Sequence, residues 1–253
     1  MIKKPTIYTS SDTVFFNTYG ISFIKSFKHF NPTTCVHYHI IDPKDKDLKL
    51  LEKLPCDYTV SYTSEEYKIA TVGNLKNVLK EGKNKFVING INSAFRFLKK
   101  DTLDEKLYKL VTGQLYRSGR FIELNKLWSG ESTVLAYDVD TICIAPFNIE
   151  SAFQGDQGCL IKKGGKFVTS LTGFRNNSEL LRNWAGKLEF YKDNYISFGF
   201  MDQNTFISEA KMFDTSGIPK MFCDHTRQNV KSFVITGKGQ TKFNNAFLNK
   251  VNL

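Results

Sequence analysis

Asp138 and Asp140 stand one residue apart at the end of the apolar run Val134-Leu135-Ala136-Tyr137. In an extended chain, positions two apart face the same side, so both carboxylates can converge on one point. Anions that close repel each other, and one stays protonated unless a cation lies between them. Hard oxygen ligands at a strand end suit Mg²⁺ or Mn²⁺, with water and a substrate phosphate filling the rest of the shell. The pattern points to a metal site that holds a diphosphate, with Asp138 and Asp140 as the metal ligands. A polar turn that closes a buried strand has the same letters, and the motif by itself does not choose.

The elements that must position these residues follow from periodicity. Thr6 to Thr9 reads as a strand and Ser10-Ser11-Asp12 as a polar turn after it. Tyr19, Phe23, Phe27 and Phe30 recur at helical spacing until Pro32. Val36 to Ile41 is a second strand ended by Asp42-Pro43, Leu48, Leu51 and Leu54 mark a helix, and Tyr58, Val60 and Tyr62 alternate as a third strand. This opening predicts an α/β fold with a mainly parallel central sheet flanked by helices. Residues 66–104 are expected to form short helices, and Leu107, Leu110, Val111 and Leu115 a helix running toward Arg120. Gly158 to Ile161 and Lys166 to Leu171 read as strands, Leu180 to Tyr191 and Asn204 to Ala210 as helices. Ligands of open α/β sheets bind at the carboxyl ends of the strands, so the loops after Thr9 and Tyr137 are expected to meet over one crevice.

With 253 residues, 41% of them hydrophobic, one large domain over 1–253 is the expectation. No linker, low-complexity tract or internal repeat interrupts the sequence. Met1-Ile2-Lys3-Lys4-Pro5 lacks the apolar core of a signal peptide, and no apolar run is long enough to span a membrane. Cys35, Cys56, Cys143, Cys159 and Cys223 are odd in number and widely spaced, as structural thiols of a reducing compartment are. A cytoplasmic protein is expected, in the host cytoplasm if the source is a virus. The net charge of +10 favours polyanionic partners such as nucleotides, nucleic acid or an anionic membrane surface.

Six segments follow one another along the chain. They are Ile7 to Asp12 with Tyr19-Gly20-Ile21-Ser22-Phe23, Tyr116 with Arg120-Phe121, and Asp138-Val139-Asp140. Then come Thr172-Gly173-Phe174 with Asn176-Asn177, Met201-Asp202-Gln203, and Thr236-Gly237-Lys238-Gly239-Gln240-Thr241-Lys242. In order and spacing they resemble a glycosyltransferase of the GT-A fold, nearest to glycosyltransferase family 8 with its retaining galactosyl- and glucosyltransferases. The resemblance covers most of the chain. It implies a single GT-A domain with a Rossmann-like sheet, residues 1–140 binding the nucleotide-sugar and 141–253 the acceptor and the catalytic pair. It also implies a UDP-sugar donor, Mn²⁺ or Mg²⁺ as cofactor, and transfer to an acceptor hydroxyl.

Under that resemblance Thr9, Ser10 and Asp12 contact base and ribose, and Arg120, Val139, Gly237, Lys238, Gly239 and Lys242 surround the diphosphate. Asp202 and Gln203 face the sugar, orienting the acceptor hydroxyl and stabilising positive charge at the anomeric carbon. Asp202 reads equally as a helix N-cap. Two departures stand out: Thr236 occupies the place of the histidine that is the family's third metal ligand, and Leu171 that of the asparagine beside the donor sugar. His225, next to Asp224, is the candidate replacement ligand, whereas His37 and His39 are expected to face a helix or solvent.

Two rival classes are weighed against this. An apolar run before Asp-x-Asp also opens the haloacid dehalogenase phosphatase motif, with the first aspartate as nucleophile, but no later acidic pair completes it. A non-catalytic module that binds nucleotide or nucleic acid is the other. For the acceptor, Lys76, Lys80, Lys83, Lys85, Arg96, Lys99 and Lys100, interspersed with Phe86, Phe95 and Phe97, form either a solvated helical face or a surface for a polyanion. Phage-type glycosyltransferases that modify hydroxylated bases in DNA fit such a surface, and saccharide, lipid-linked and protein acceptors stay open.

Overall fold

The computed structural model describes residues 1–96, 98, 101–162, 165–224 and 231–236. The chain opens with β1 (Thr6–Asp12) and a helical turn α1 (Thr13–Phe15), which passes through a π turn (Phe16–Gly20) into α2 (Ile21–Phe30). Next come β2 (Cys35–Ile41), α3 (Asp45–Leu51) and β3 (Asp57–Ser61). Three helices follow: α4 (Glu65–Glu81), α5 (Lys85–Phe95) and α6 (Leu103–Leu127). The remainder is β4 (Val134–Tyr137), β5 (Thr141–Cys143), β6 (Gln157–Lys162), β7 (Lys166–Phe174), α7 (Glu179–Asp193), α8 (Met201–Ala210), β8 (Ser216–Ile218) and β9 (Val234–Thr236).

The short helices expected between 66 and 104 are instead dominated by α4, which is 17 residues long. Ser64 caps its start by accepting from the Tyr67 N–H, and Gly82 ends it in the left-handed conformation at φ 69°. No proline interrupts it. The 25-residue α6 begins at a reciprocal capping box of Thr102 and Glu105, which satisfies two of its free N–H groups.

Seven strands form one sheet in the order β3-β2-β1-β4-β7-β6-β8. β3, β2, β1 and β4 run parallel, β7 is antiparallel to both β4 and β6, and β8 is parallel to β6. The expected mainly parallel sheet is therefore observed, with one reversed strand, β7, beside the central β4. Because β4 pairs with β7, the segments on either side of residue 140 share this sheet. β1 pairs with β2 through its whole length, Thr6 with Cys35 to Asp12 with Ile41. Ser10-Ser11-Asp12 is thus strand rather than turn, because β2 offers a ladder partner to every residue.

Apolar cores cover both faces. On one, Phe121 of α6 stacks on Trp184 of α7 at 3.8 Å between ring centroids, and Phe206 of α8 closes on the same indole. On the other, Phe23 and Phe27 of α2 pack around Tyr137. Each ring is worth roughly 1.5–3 kcal/mol when buried, so together these contacts hold α6, α8 and the end of β4 in register. The thiols of Cys143, Cys159 and Cys223 lie buried in these layers, and all five cysteines are free. Among the described residues no helix is long and apolar enough to cross a membrane.

Candidate functional site

The order of strands reverses between β1 and β4: the chain winds outward from β1 to β2 and β3, whereas β4 lies on its other side. At the carboxyl ends of these two strands a cavity of about 560 Å³ opens, in the crevice where α/β sheets bind ligands. β1 outruns β4 there, since only Thr6 to Tyr8 pair with Val134 to Ala136. Thr9 begins the overhang, but it is fully buried and its hydroxyl donates to the Tyr137 carbonyl at 2.9 Å. Thr9 therefore bolts β1 to β4 and stands outside the cavity, in correction of its expected contact with the nucleoside. Ser10 and Asp12 do line the cavity. Asp12 also caps α1, one of its oxygens accepting from the Phe15 N–H at 2.8 Å.

Asp138 follows β4, its N–H donating to the Ser170 carbonyl of β7 at 3.0 Å. Its carboxylate meets Arg120, whose Nη1 donates to Asp138 Oδ1 at 2.6 Å. The same guanidinium donates to the carbonyls of Tyr137 and Thr169, each at 3.3 Å. The Arg120 side chain is 7% exposed and that of Asp138 39%, so a buried cation anchors a carboxylate that still opens to the cavity. α6 delivers Arg120 on the face next to Phe121, and the Tyr8 hydroxyl fixes that turn by donating to the Arg120 carbonyl at 2.9 Å.

Val139 and the buried Asp140 line the same cavity. Thr236, on β9, lies opposite Thr141 of β5. Its hydroxyl donates to the Asp140 carbonyl at 3.3 Å and contacts the Thr141 hydroxyl at 3.2 Å. Thr236 thus steadies the backbone beside Asp140. Gly237, Lys238, Gly239 and Lys242, together with His225, Phe97, Lys99 and Lys100, lie outside the described residues.

Across the cavity stand Asp202 and Gln203 in the first turn of α8. The helix starts at Met201, so Asp202 is inside it and Phe200 takes the cap position, at φ 57°. Two contacts set this entry. The Met201 N–H donates to Gln114 Oε1 of α6 at 3.2 Å, and the Trp184 indole donates to the Asp202 carbonyl at 3.1 Å. Just before, Gly199 donates to the Gly90 carbonyl of α5 at 3.2 Å; a Cβ on Gly199 would lie 2.6 Å from that oxygen, so no larger residue fits. Burial raises the pKa of the Asp202 carboxyl, against the opposing pull of Arg117 and Arg120.

The structure thus gathers Ser10, Asp12, Arg120, Asp138, Val139, Asp140, Asp202 and Gln203 around one space. It does not gather the segment compared with the family's donor-sugar loop. β7 runs antiparallel to β4, so Thr172, Gly173 and Phe174 pair with Ala136, Leu135 and Val134, and the Asn177 N–H reaches Gly130 at 2.9 Å. That segment leads toward the amino end of β4, away from the cavity, and it is Thr169, earlier on β7, that lines the cavity. Sequence reasoning passed over Phe15, Tyr108, Lys109, Arg117 and Phe200, all on the cavity wall. For α6 a signal was present: Lys109, Gly113, Tyr116 and Arg120 recur at helical spacing as a stripe without aliphatic side chains. His37 and His39 lie on the sheet face toward α6, as expected: His37 stacks on Tyr8, whose hydroxyl reaches α6, and Glu123 and Lys126 of α6 act on His39. Both are bonded to the Thr59 hydroxyl, and burial lowers each pKa to about 4.

The donor set fits a hard divalent cation. Two carboxylates open on one space, and among the described residues no cluster of three or more His, Cys, Asp or Glu surrounds them. Mg²⁺ is commonly held by one or two carboxylates, with water and substrate phosphate completing its shell. The wall is also short of hydrogen bonds: the hydroxyls of Ser10 and Thr112 have no partner among the described residues, a deficit of about 1–3 kcal/mol each.

The sequence matches no protein-family profile and no curated protein. Solved structures do resemble it. The galactosyltransferase LgtC, solved in complex with donor and acceptor sugar analogues, aligns over 98% of this chain and 96% of its own, at 10% identity and a TM-score of 0.54. The glycosyltransferase GlyE of Streptococcus pneumoniae aligns over 98% of this chain at 10% identity and a TM-score of 0.55. This chain spans 61% of the GlyE chain. These neighbours are GT-A glycosyltransferases, and the likeness establishes the GT-A fold here.

Proposed function

We propose that this chain is a metal-dependent glycosyltransferase that moves a sugar from a nucleoside diphosphate, read as UDP, to an acceptor hydroxyl. One observation carries the reading. The strand-end carboxylates Asp138 and Asp140 and the helix-start pair Asp202 and Gln203, far apart in sequence, border one cavity at the reversal point of a GT-A sheet.

Asp138 and Asp140 would hold Mn²⁺ or Mg²⁺, which when bound supplies Lewis-acid stabilisation of the leaving diphosphate. Ser10 and Asp12, at the end of β1, border the space for the nucleoside. Arg120 keeps the Asp138 carboxylate aimed. In the transfer the bond between anomeric carbon and diphosphate oxygen breaks, its electron pair staying on that oxygen. The acceptor oxygen bonds to the same carbon, and the hydroxyl proton leaves with the diphosphate. Asp202 offers negative charge to the cationic sugar, and Gln203 orients the incoming hydroxyl. On the family resemblance, the anomeric configuration is retained. The phosphatase reading needs the first aspartate as a free nucleophile, whereas Asp138 is held by Arg120.

Calorimetric titration with UDP, with and without Mn²⁺, tests the proposal. Binding that requires the metal supports it. Absence of binding in both conditions overturns it.

A further inference from the structure

A second cavity of about 220 Å³ adjoins the first, between α5, α6 and the Gly199–Phe200 corner. The two share Lys109, Gly113, Arg117 and Phe200, so they form one continuous space with an annex. Acidic side chains are confined to the main cavity, which Lys109, Arg117 and Arg120 line as well. Asp12, Asp138, Asp140 and Asp202 all line the main cavity, whereas the annex carries Lys109 and Arg117 and no acidic side chain.

The two cations stand two helical turns apart on one face of α6, with Gly113 between them. Nothing lies within 4 Å of where a Cβ on Gly113 would be, which leaves the floor between them open. Lys109 is an exposed residue tethered to Asp101 at 2.9 Å. Arg117 is exposed and makes no ion pair or hydrogen bond among the described residues. Phe200 forms part of the wall. It is 43% exposed and held at φ 57°, a conformation that costs a bulky side chain roughly 1–2 kcal/mol. Gln114, the one neutral polar side chain in the annex, already spends its oxygen on the Met201 N–H.

We propose that this annex is the acceptor subsite and takes an acceptor bearing a phosphate, with the phosphate on Arg117 and Lys109 and the acceptor's ring against Phe200. The inference rests on the transferase reading above. A neutral saccharide is usually held by acceptors as well as donors for its hydroxyls. Among the described side chains of the annex no carboxylate lines it, and the Gln114 amide oxygen is taken by Met201. A guanidinium with no hydrogen bond or ion pair among the described residues, only the longer-range pull it exerts on Asp202, is matched by a phosphate, to which it donates two parallel bonds. An acceptor held there has its reactive end directed at Asp202 and Gln203, since Arg117 and Phe200 border both spaces.

The test is calorimetry on protein saturated with UDP and Mn²⁺, so that added phosphate does not enter the donor side. Glucose, glucose 6-phosphate and a single-stranded oligonucleotide are titrated into wild type, Arg117→Ala and Arg117→Lys. We expect at least one phosphate-bearing probe to bind roughly tenfold more tightly than glucose. Arg117→Ala should remove that preference and Arg117→Lys restore part of it. Preference for the hexose phosphate identifies a small acceptor, and preference for the oligonucleotide a polymer. UDP binding with no discrimination by phosphate, or discrimination that survives Arg117→Ala, overturns the inference alone. Failure of wild type to bind UDP overturns the transferase reading, and this inference with it.

Discussion

Arg120, buried on α6, donates to Asp138 Oδ1 at 2.6 Å while also bonding the carbonyls of Tyr137 and Thr169. One guanidinium thereby joins a helix, the end of β4 and the neighbouring β7, and sets the direction of a carboxylate at the cavity. Lysine supplies the charge without the fork. Arg120→Lys is expected to lose about 1–3 kcal/mol of stability by urea denaturation. Unchanged stability would show that the carbonyl contacts contribute nothing.

Asp140→Asn retains size and removes one of the two charges offered to the cation. Metal-dependent UDP affinity should fall by roughly tenfold or more, with little change in the binding seen without metal. Equal metal enhancement in the variant would exclude Asp140 as a ligand.

Asp202→Asn and Gln203→Ala act on the sugar rather than the diphosphate. Both should retain UDP binding while the turnover of donor sugar, followed as UDP release, drops by roughly a hundredfold or more. A drop in UDP affinity matching the drop in turnover would place the pair on the nucleotide side instead.

Thr236→Val separates the structural role of this residue from a ligand role. Loss of the hydroxyl should cost about 1 kcal/mol of stability and leave Mn²⁺-dependent UDP affinity within about twofold. Weakened metal dependence with unchanged stability would make the Thr236 hydroxyl a ligand.

His37 and His39 titrate near 4 in the folded protein against an ordinary value of 6.5, because burial disfavours the imidazolium. Above 6.5 both states are neutral, and stability is at its full value. Between there and 4 the unfolded chain binds protons that the folded chain refuses, so stability falls as pH falls. Thermal unfolding from pH 7 down to 4 should show this decline, and His39→Gln should flatten its slope. An unchanged slope in the variant would assign the decline to other groups.

Much of the cavity was legible because its chemistry sits on short motifs at element ends. Asp138 and Asp140 close an apolar strand, which residue type and periodicity located, whereas Asp202 and Gln203 were located by the family resemblance. Direction was not legible. The reversal of β7 leaves no mark in the alternation of its residues, so sequence alone does not show that Thr172 to Phe174 lie toward the amino end of β4 and Thr169 at the cavity. Thr9 misled for a related reason: a strand-end threonine reads as a ligand group until the neighbouring strand's length is known. Phe200 carried no signal, since its importance lies in a backbone angle and a corner shared by two cavities.

The pairing of β4 with β7 has a practical consequence for anyone who cuts this chain. A fragment ending at Asp140 would retain both carboxylates and Arg120. It would also bare the flank of β4 from Val134 to Tyr137, where β7 now lies. Its backbone N–H and C=O groups, left without a ladder partner, would be a template for self-association. A fragment cut at this boundary would therefore aggregate before any question of activity arose, and a graft of the aspartates must bring a β7 to cover that flank.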